Sequence, residues 1–262
     1  MLWRDMIQMF ELFTPSQMGL AVMVALFAGI VKGVVGFAMP MVLISGLGFF
    51  LAPELALAGL ILPTLVTNAM QSLREGPQAA WQSVKTFKVF LIAGLVTLLI
   101  GAQMVRILPI WVMMLVIGFP ITLFAILQLR GIEIKISGKT SRVAAAVGAV
   151  AGFMGGMSGV WGPPTVAYLS ALGTKKEDRM RIQGVIYGFG AVALTFAHLG
   201  SGVLRDQTLP FSAAMVLPAV LGMWVGGRIF NRIDQKVFHR TTLIVLLIAG
   251  LNLIRRAVVL IV

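Results

Sequence analysis

The chain has 262 residues, 59% hydrophobic and 11% charged, with 21 Lys and Arg against nine Asp and Glu and a net charge of +12. Soluble domains carry about 25% charged residues, so this composition excludes a soluble globular protein and describes a polytopic membrane protein with room for about ten crossings of about 20 residues each. Cys is absent, which excludes disulfides, zinc ribbons and iron–sulfur ligation; with only His198 and His239 as imidazoles, neither a metal nor any other cofactor is expected.

Residues 1–13 carry Arg4, Asp5 and Glu11 and no small-residue cleavage site, so they read as an interfacial segment rather than a signal peptide. Charge-free runs then mark the elements of a first unit, 14–130. Residues 12–31 form the first run. Residues 33–53 form the second, but Gly33, Gly36 and Pro40 break it and leave a short element at about 40–52. Runs at 55–73, 89–105 and 107–129 follow. A basic linker, 131–142, leads to a second unit, 143–262. Its first run lacks charge over 143–174, which as one helix is about 48 Å long, well beyond a hydrocarbon core of about 30 Å. Gly155, Gly156, Gly159, Gly162, Pro163 and Pro164 divide it into elements at 143–157 and 163–173. Runs at 182–204, 207–227 and 241–254 complete the set.

The two units are an internal repeat. Gly29-x3-Gly33-x2-Gly36-x3-Pro40 recurs as Gly152-x3-Gly156-x2-Gly159-x3-Pro163 at a constant offset of 123. Further on, Gly59 matches Gly184 and Gly101 matches Gly226 at an offset of 125. Alternating sides along the chain places 15 basic residues on one face of the membrane and five on the other, leaving Lys32 inside a span. The positive-inside rule makes the rich side cytoplasmic and puts both termini outside. Basic residues that crowd a loop in one unit are fewer in the equivalent loop of the other (none against four, three against one, one against four), as an inverted repeat requires. The expected fold is therefore all-α, with two inverted-topology repeats of about five helical elements, each opening on a broken or re-entrant helix.

Interrupted helices at matching positions of inverted repeats are the mark of secondary transporters, whose substrate sits near midplane between the repeats. A helix start inside the membrane offers free N–H groups and the positive end of its dipole, which suit an anion. Pro40 and Pro163 fit the first turn of such helices. Gly33, Gly36, Gly156 and Gly159 belong to these breaks, although the Gly-x3-Gly spacing also serves close helix packing. Lys32, the one charge well inside a span, is the expected counter-charge to the substrate. Asn68 and Gln71 lie three apart on one element, Gln183 and Tyr187 four apart on another; each pair is placed to bind substrate oxygens or to join helices. Ser158, Trp161 and Thr165 sit at the second break. His198 lies within a span as a candidate proton relay or a helix–helix hydrogen-bond donor.

The segments Ala28-Gly29-Ile30-Val31-Lys32-Gly33-Val34-Val35-Gly36 and Gly155-Gly156-Met157-Ser158-Gly159-Val160-Trp161-Gly162-Pro163-Pro164, each opening one half, resemble the TauE/SafE family of bacterial exporters over about 18–254. The resemblance implies proton-linked export of sulfite, sulfoacetate or related sulfonates across the inner membrane, with a small anion, protons and the lipid bilayer as partners, no nucleic acid and no enzymatic reaction. Other anions such as carboxylates fit the same chemistry. A non-transporting assembly subunit is the remaining alternative, for which Lys32 and both breaks are dispensable.

Overall fold

The computed structural model describes residues 13–132, 140–174, 176–229 and 234–261, and every element among them is a helix. In the first unit these are α1 (Pro15–Val35), α2 (Met39–Leu47), α3 (Pro53–Ser72), α4 (Pro77–Thr86), α5 (Lys88–Ile107) and α6 (Ile110–Leu129). The second contains α7 (Ser141–Ser158), α8 (Gly162–Ala171), α9 (Lys176–Ser201), α10 (Leu209–Ala214), α11 (Val216–Ile229) and α12 (Gln235–Ile261). Among the described residues six stretches are long and apolar enough to cross a membrane: Pro15–Val35, Pro53–Ser72, Lys88–Val105, Ile110–Leu129, Asp178–Ser201 and Leu209–Ile229. The interfacial segment expected at 1–13 and the centre of the 131–142 linker lie outside the described residues.

Local chemistry sets the helix ends. Thr14 accepts a hydrogen bond from the Gln17 amide while the Gln17 side chain accepts one from the Thr14 amide, a reciprocal cap that starts α1 ahead of Pro15. At its other end Gly36 adopts φ +84° and donates its N–H to the Lys32 carbonyl. The same closure ends α7, where Gly159 has φ +70° and donates to the Gly155 carbonyl. A left-handed residue is costly for any side chain, so both breaks need glycine at this position. Links of equal length, Gly36–Ala38 and Gly159–Trp161, then lead into α2 and α8; both links are buried, as unwound backbone at membrane depth requires. With nine and ten residues, α2 and α8 are about 14–15 Å long, half the hydrocarbon core.

The principal packing partners exchange between units: α1 lies on α11 as α7 lies on α5, while α3 packs on α9 and α6 on α12. The correspondence extends to single residues. A methyl group on Gly29 would sit 2.1 Å from the Ala219 carbonyl oxygen, and one on Gly152 would sit 2.0 Å from that of Gly94. Gly33 meets Met223 and Gly227; Gly156 meets Leu98 and Ala102, each partner displaced by 125 positions. Gly226 abuts the Ile30 carbonyl as Gly101 abuts that of Phe153. Where Gly222 packs on Leu26, its counterpart Thr97 instead donates its hydroxyl to the Ala149 carbonyl at 2.7 Å. The repeated glycines thus bring backbones together across the two units.

Three differences from the sequence reading have physical causes. The loop expected at 74–88 contains α4, whose Trp81 and Lys85 face outward with the ammonium 5.7 Å from the ring centroid; an amphipathic helix has no continuous apolar run to reveal it. The basic stretch after Lys175 opens α9 rather than forming a loop, and within it Arg181 pairs with Asp178 three residues earlier and with Glu75. The run at 207–227 is two helices joined at Met215.

Candidate anion site at the meeting of the two breaks

Gly162, the first residue of α8, lies against Phe37 of the first link and Met41 of α2: a methyl group there would be 3.3 Å from the Phe37 ring and 3.7 Å from the Met41 sulfur. The N-termini of α2 and α8 therefore approach one another, and their dipoles present positive ends to the same region. Pro40 and Pro163 occupy the second position of α2 and α8, where an amide N–H has no intrahelical acceptor to lose. The Ala38 cap position of α2 carries no side-chain cap.

Lys32, in the last turn of α1, is 2% exposed. Its ammonium donates to the Asn68 side-chain oxygen on α3, and no ion pair among the described residues includes it. Asn68 Nδ2 is buried without a partner, as are the Thr64 hydroxyl one turn earlier and the Tyr187 hydroxyl on α9. Tyr187 stands beside Thr165, whose Oγ1 donates to the Trp161 carbonyl at 2.8 Å. Gln183 Oε1 borders Gly36, where a methyl group would be 3.2 Å from it and 2.2 Å from the Met180 sulfur. Gln71 has a joining role: its Nε2 donates to the Met180 carbonyl at 2.9 Å and ties α3 to α9.

The second break is braced by polar side chains. Ser158 Oγ donates to the Met154 carbonyl at 2.7 Å and accepts from the Val160 amide at 3.2 Å. His198 Nε2 lies 3.0 Å from the Gly156 carbonyl, which can only accept, so the proton is on Nε2; Nδ1 then accepts from the Ser201 hydroxyl at 2.9 Å. Nε2 thus satisfies a carbonyl freed by the break, and Nδ1 is held by Ser201. Trp161 is 4% exposed and fills the space that Gly155 leaves empty, with its ring centroid 6.4 Å from that of Tyr187. In the repeat Gly155 corresponds to Lys32 and Trp161 to Ala38. One break holds a cation beside a small residue, and the other an aromatic ring beside a glycine.

Of the residues singled out from sequence, Lys32 and Asn68 are in direct contact, and Tyr187, Trp161 and Thr165 form a second cluster. Gly36 and Gln183 join the first break to α9. Gly33 and Gly156 serve the helix contacts described above. The sequence reading missed two ion pairs that bracket the site. Arg181 at the start of α9 binds Glu75 just past α3, and also Asp178 at 2.7 Å. At the far end, Arg205 beyond α9 binds Glu54 in the first turn of α3 at 2.6 Å. A basic residue near each end of α9 facing an acidic one near each end of α3 was the available signal.

No curated protein sequence and no solved structure matches the chain. The family described as Sulfite exporter TauE/SafE matches it over residues 21–253. Its members are transporters and not enzymes, which agrees with a multi-pass helical chain whose interior holds a cation. The chain belongs to the Sulfite exporter TauE/SafE family.

Proposed function

We propose that the protein exports a small sulfur oxyanion or sulfonate from the cytoplasm across the bacterial inner membrane, by alternating access between two inverted repeats. The observation that carries this reading is the buried Lys32 ammonium, with no carboxylate bound to it, beside the unpartnered amide of Asn68. A charge inside a membrane needs a counter-charge, and a bound anion supplies it. The Asn68 amide and Tyr187 hydroxyl are donors for its oxygens. The converging starts of α2 and α8 add positive potential, and Trp161 walls the centre. Sulfite or a sulfonate has compact, charged oxygens for such a donor set. Proton linkage belongs to the same reading; His198 is a carrier only if its two hydrogen bonds break during the cycle.

Thermal unfolding of the detergent-purified protein against sulfite, sulfoacetate, taurine, sulfate, lactate and chloride tests the substrate class. A ligand that binds only the folded state raises Tm by mass action, by about 2.7 kcal/mol of stability at 100 times Kd. Sulfite or sulfoacetate is expected to raise Tm most, and to raise it less in Lys32→Ala. A lactate winner keeps the site and removes the sulfur assignment. If every anion leaves Tm unchanged at millimolar concentration, the assembly-subunit reading gains.

The ion pairs at the two ends of α3 and α9 suit alternating gates. Both are partly exposed, and such pairs contribute about 0–1 kcal/mol, weak enough to open and re-form in each cycle. Because the chain has no Cys, paired cysteines give a clean test. Oxidation of Glu75→Cys with Arg181→Cys, or of Glu54→Cys with Arg205→Cys, is expected to stop efflux from proteoliposomes, and reduction to restore it. Full efflux in the oxidised proteins would make these pairs static clamps.

A further inference from the structure

A second polar recess lies apart from Lys32. It has a volume of about 110 Å³ and is lined by Thr86 and Phe87 at the α4–α5 junction, Thr140 and Ser141 at the start of α7, and Tyr168 of α8 against Phe90. The backbone of Thr140 has the extended geometry of an N-cap, but its side chain makes no cap bond, so the first amides of this 18-residue helix are left for another acceptor. Tyr168 supplies an independent observation. It is 4% exposed, its ring is stacked 5.6 Å from that of Phe90, and its hydroxyl has no hydrogen-bond partner among the described residues although the side chain lines the recess. Thr86 donates its hydroxyl proton to the Gln82 carbonyl at 2.9 Å, while the hydroxyls of Ser141 and Tyr168 are free to donate. The recess therefore sets hydroxyls that can donate around a helix N-terminus, with no carboxylate among its lining residues.

Its surroundings are basic. Lys85 and Lys88 flank the Thr86–Phe87 corner in the chain, and Arg142 follows Ser141. All belong to the side that the charge distribution assigns to the cytoplasm, the side from which an exporter takes its substrate.

We propose that this recess binds an oxyanion at the cytoplasmic face and acts as a loading site ahead of the Lys32 centre. The inference rests on the exporter reading for its role, though not for its ligand chemistry. Uncapped α7 amides, the Ser141 and Tyr168 hydroxyls and the basic rim suit a sulfite or sulfonate group, and equally a lipid phosphate.

Isothermal titration of sulfite into the full chain with Lys32→Ala isolates the recess from the central site. That protein is expected to retain one binding event. Adding Ser141→Asp should abolish it: a carboxylate in the first turn supports the helix but occupies the anion's place. Adding Tyr168→Phe, which keeps the stack on Phe90, should weaken it about tenfold. In proteoliposomes the Ser141→Asp protein with Lys32 intact should show a raised KM for sulfite efflux and an unchanged maximal rate. Absence of binding in the Lys32→Ala protein, or binding that Ser141→Asp leaves intact, overturns the proposal. Repeating the titration in nanodiscs separates the sources: loss of sulfite binding in phosphatidylglycerol and phosphatidylcholine alike, with binding kept in detergent, keeps the oxyanion site and assigns it to a lipid phosphate. Unimpaired efflux in Lys32→Ala would instead remove the central-site reading and leave the recess standing.

Discussion

Replacing Lys32 by Met is expected to abolish anion efflux and to leave the protein at least as stable as the wild type. The side chain is almost fully enclosed, and its ammonium donates only to the neutral oxygen of Asn68. An ammonium at the centre of a membrane helix costs about 2.5–3.5 kcal/mol on insertion scales, and one amide hydrogen bond offsets only part of that. Met keeps the length and volume while deleting the charge, so the empty protein gains stability as the anion loses its counter-charge. Asn68→Asp gives the complementary result. A carboxylate beside Lys32 forms an internal pair, raises Tm without ligand and displaces the anion, so efflux falls although the lysine is present. Efflux from sulfite-loaded proteoliposomes, with Tm of the same preparations, checks both. Normal efflux in Lys32→Met would remove the lysine from the mechanism.

Gly29→Ala and Gly152→Ala are expected to destabilise the fold by similar amounts. A single methyl group at either position lands 2.0–2.1 Å from a carbonyl oxygen of the facing helix, so two backbones must separate by more than 1 Å to restore van der Waals contact. Overpacking of this kind costs about 1–3 kcal/mol, and here the obstacle is main chain, which cannot rotate away. Gly19→Ala is the control. Nothing lies within 4 Å of that position, and Ala favours the helix over Gly by up to about 1 kcal/mol. Thermal unfolding in detergent should show the first two variants well below wild type and the third at or above it. Equal Tm for all three would mean that α1·α11 and α5·α7 are looser than their geometry implies.

How much of this was legible in the sequence depends on whether the cause is local. The breaks were legible because each needs a left-handed residue, a short link and a helix start, and glycine and proline mark those features wherever they fall. The repeat was legible for the same reason: identical spacing reports identical backbone geometry. Lys32 stood out because one charge in an apolar run has a cost that composition alone exposes. What it touches did not stand out, since Asn68 lies 36 positions away and nothing near either residue selects the other. The meeting of Phe37 with Gly162 is a product of tertiary packing with no local trace. The histidine shows the limit most clearly. From sequence a buried imidazole is a relay or a hydrogen-bond donor, and only the position of the Gly156 carbonyl, freed by a break 42 residues earlier, gives it a bracing contact.

The exchange of partners between the two units has a consequence for biosynthesis. α1 is the first described helix, yet the surface it packs against, α11, is not made until much later: Ala219 follows Gly29 by 190 positions. At 5–20 residues per second, that interval is about 10–40 s. Throughout it, the glycine stripe of α1 must wait without its final neighbours. The partner of α5 arrives sooner, because α7 follows it after one intervening helix. The α5·α7 seam therefore forms first and the α1·α11 seam closes the molecule. Closure sets the first break against its partner helix only after the second has its own, so the packing of Gly33 is completed by the last third of the chain to leave the ribosome.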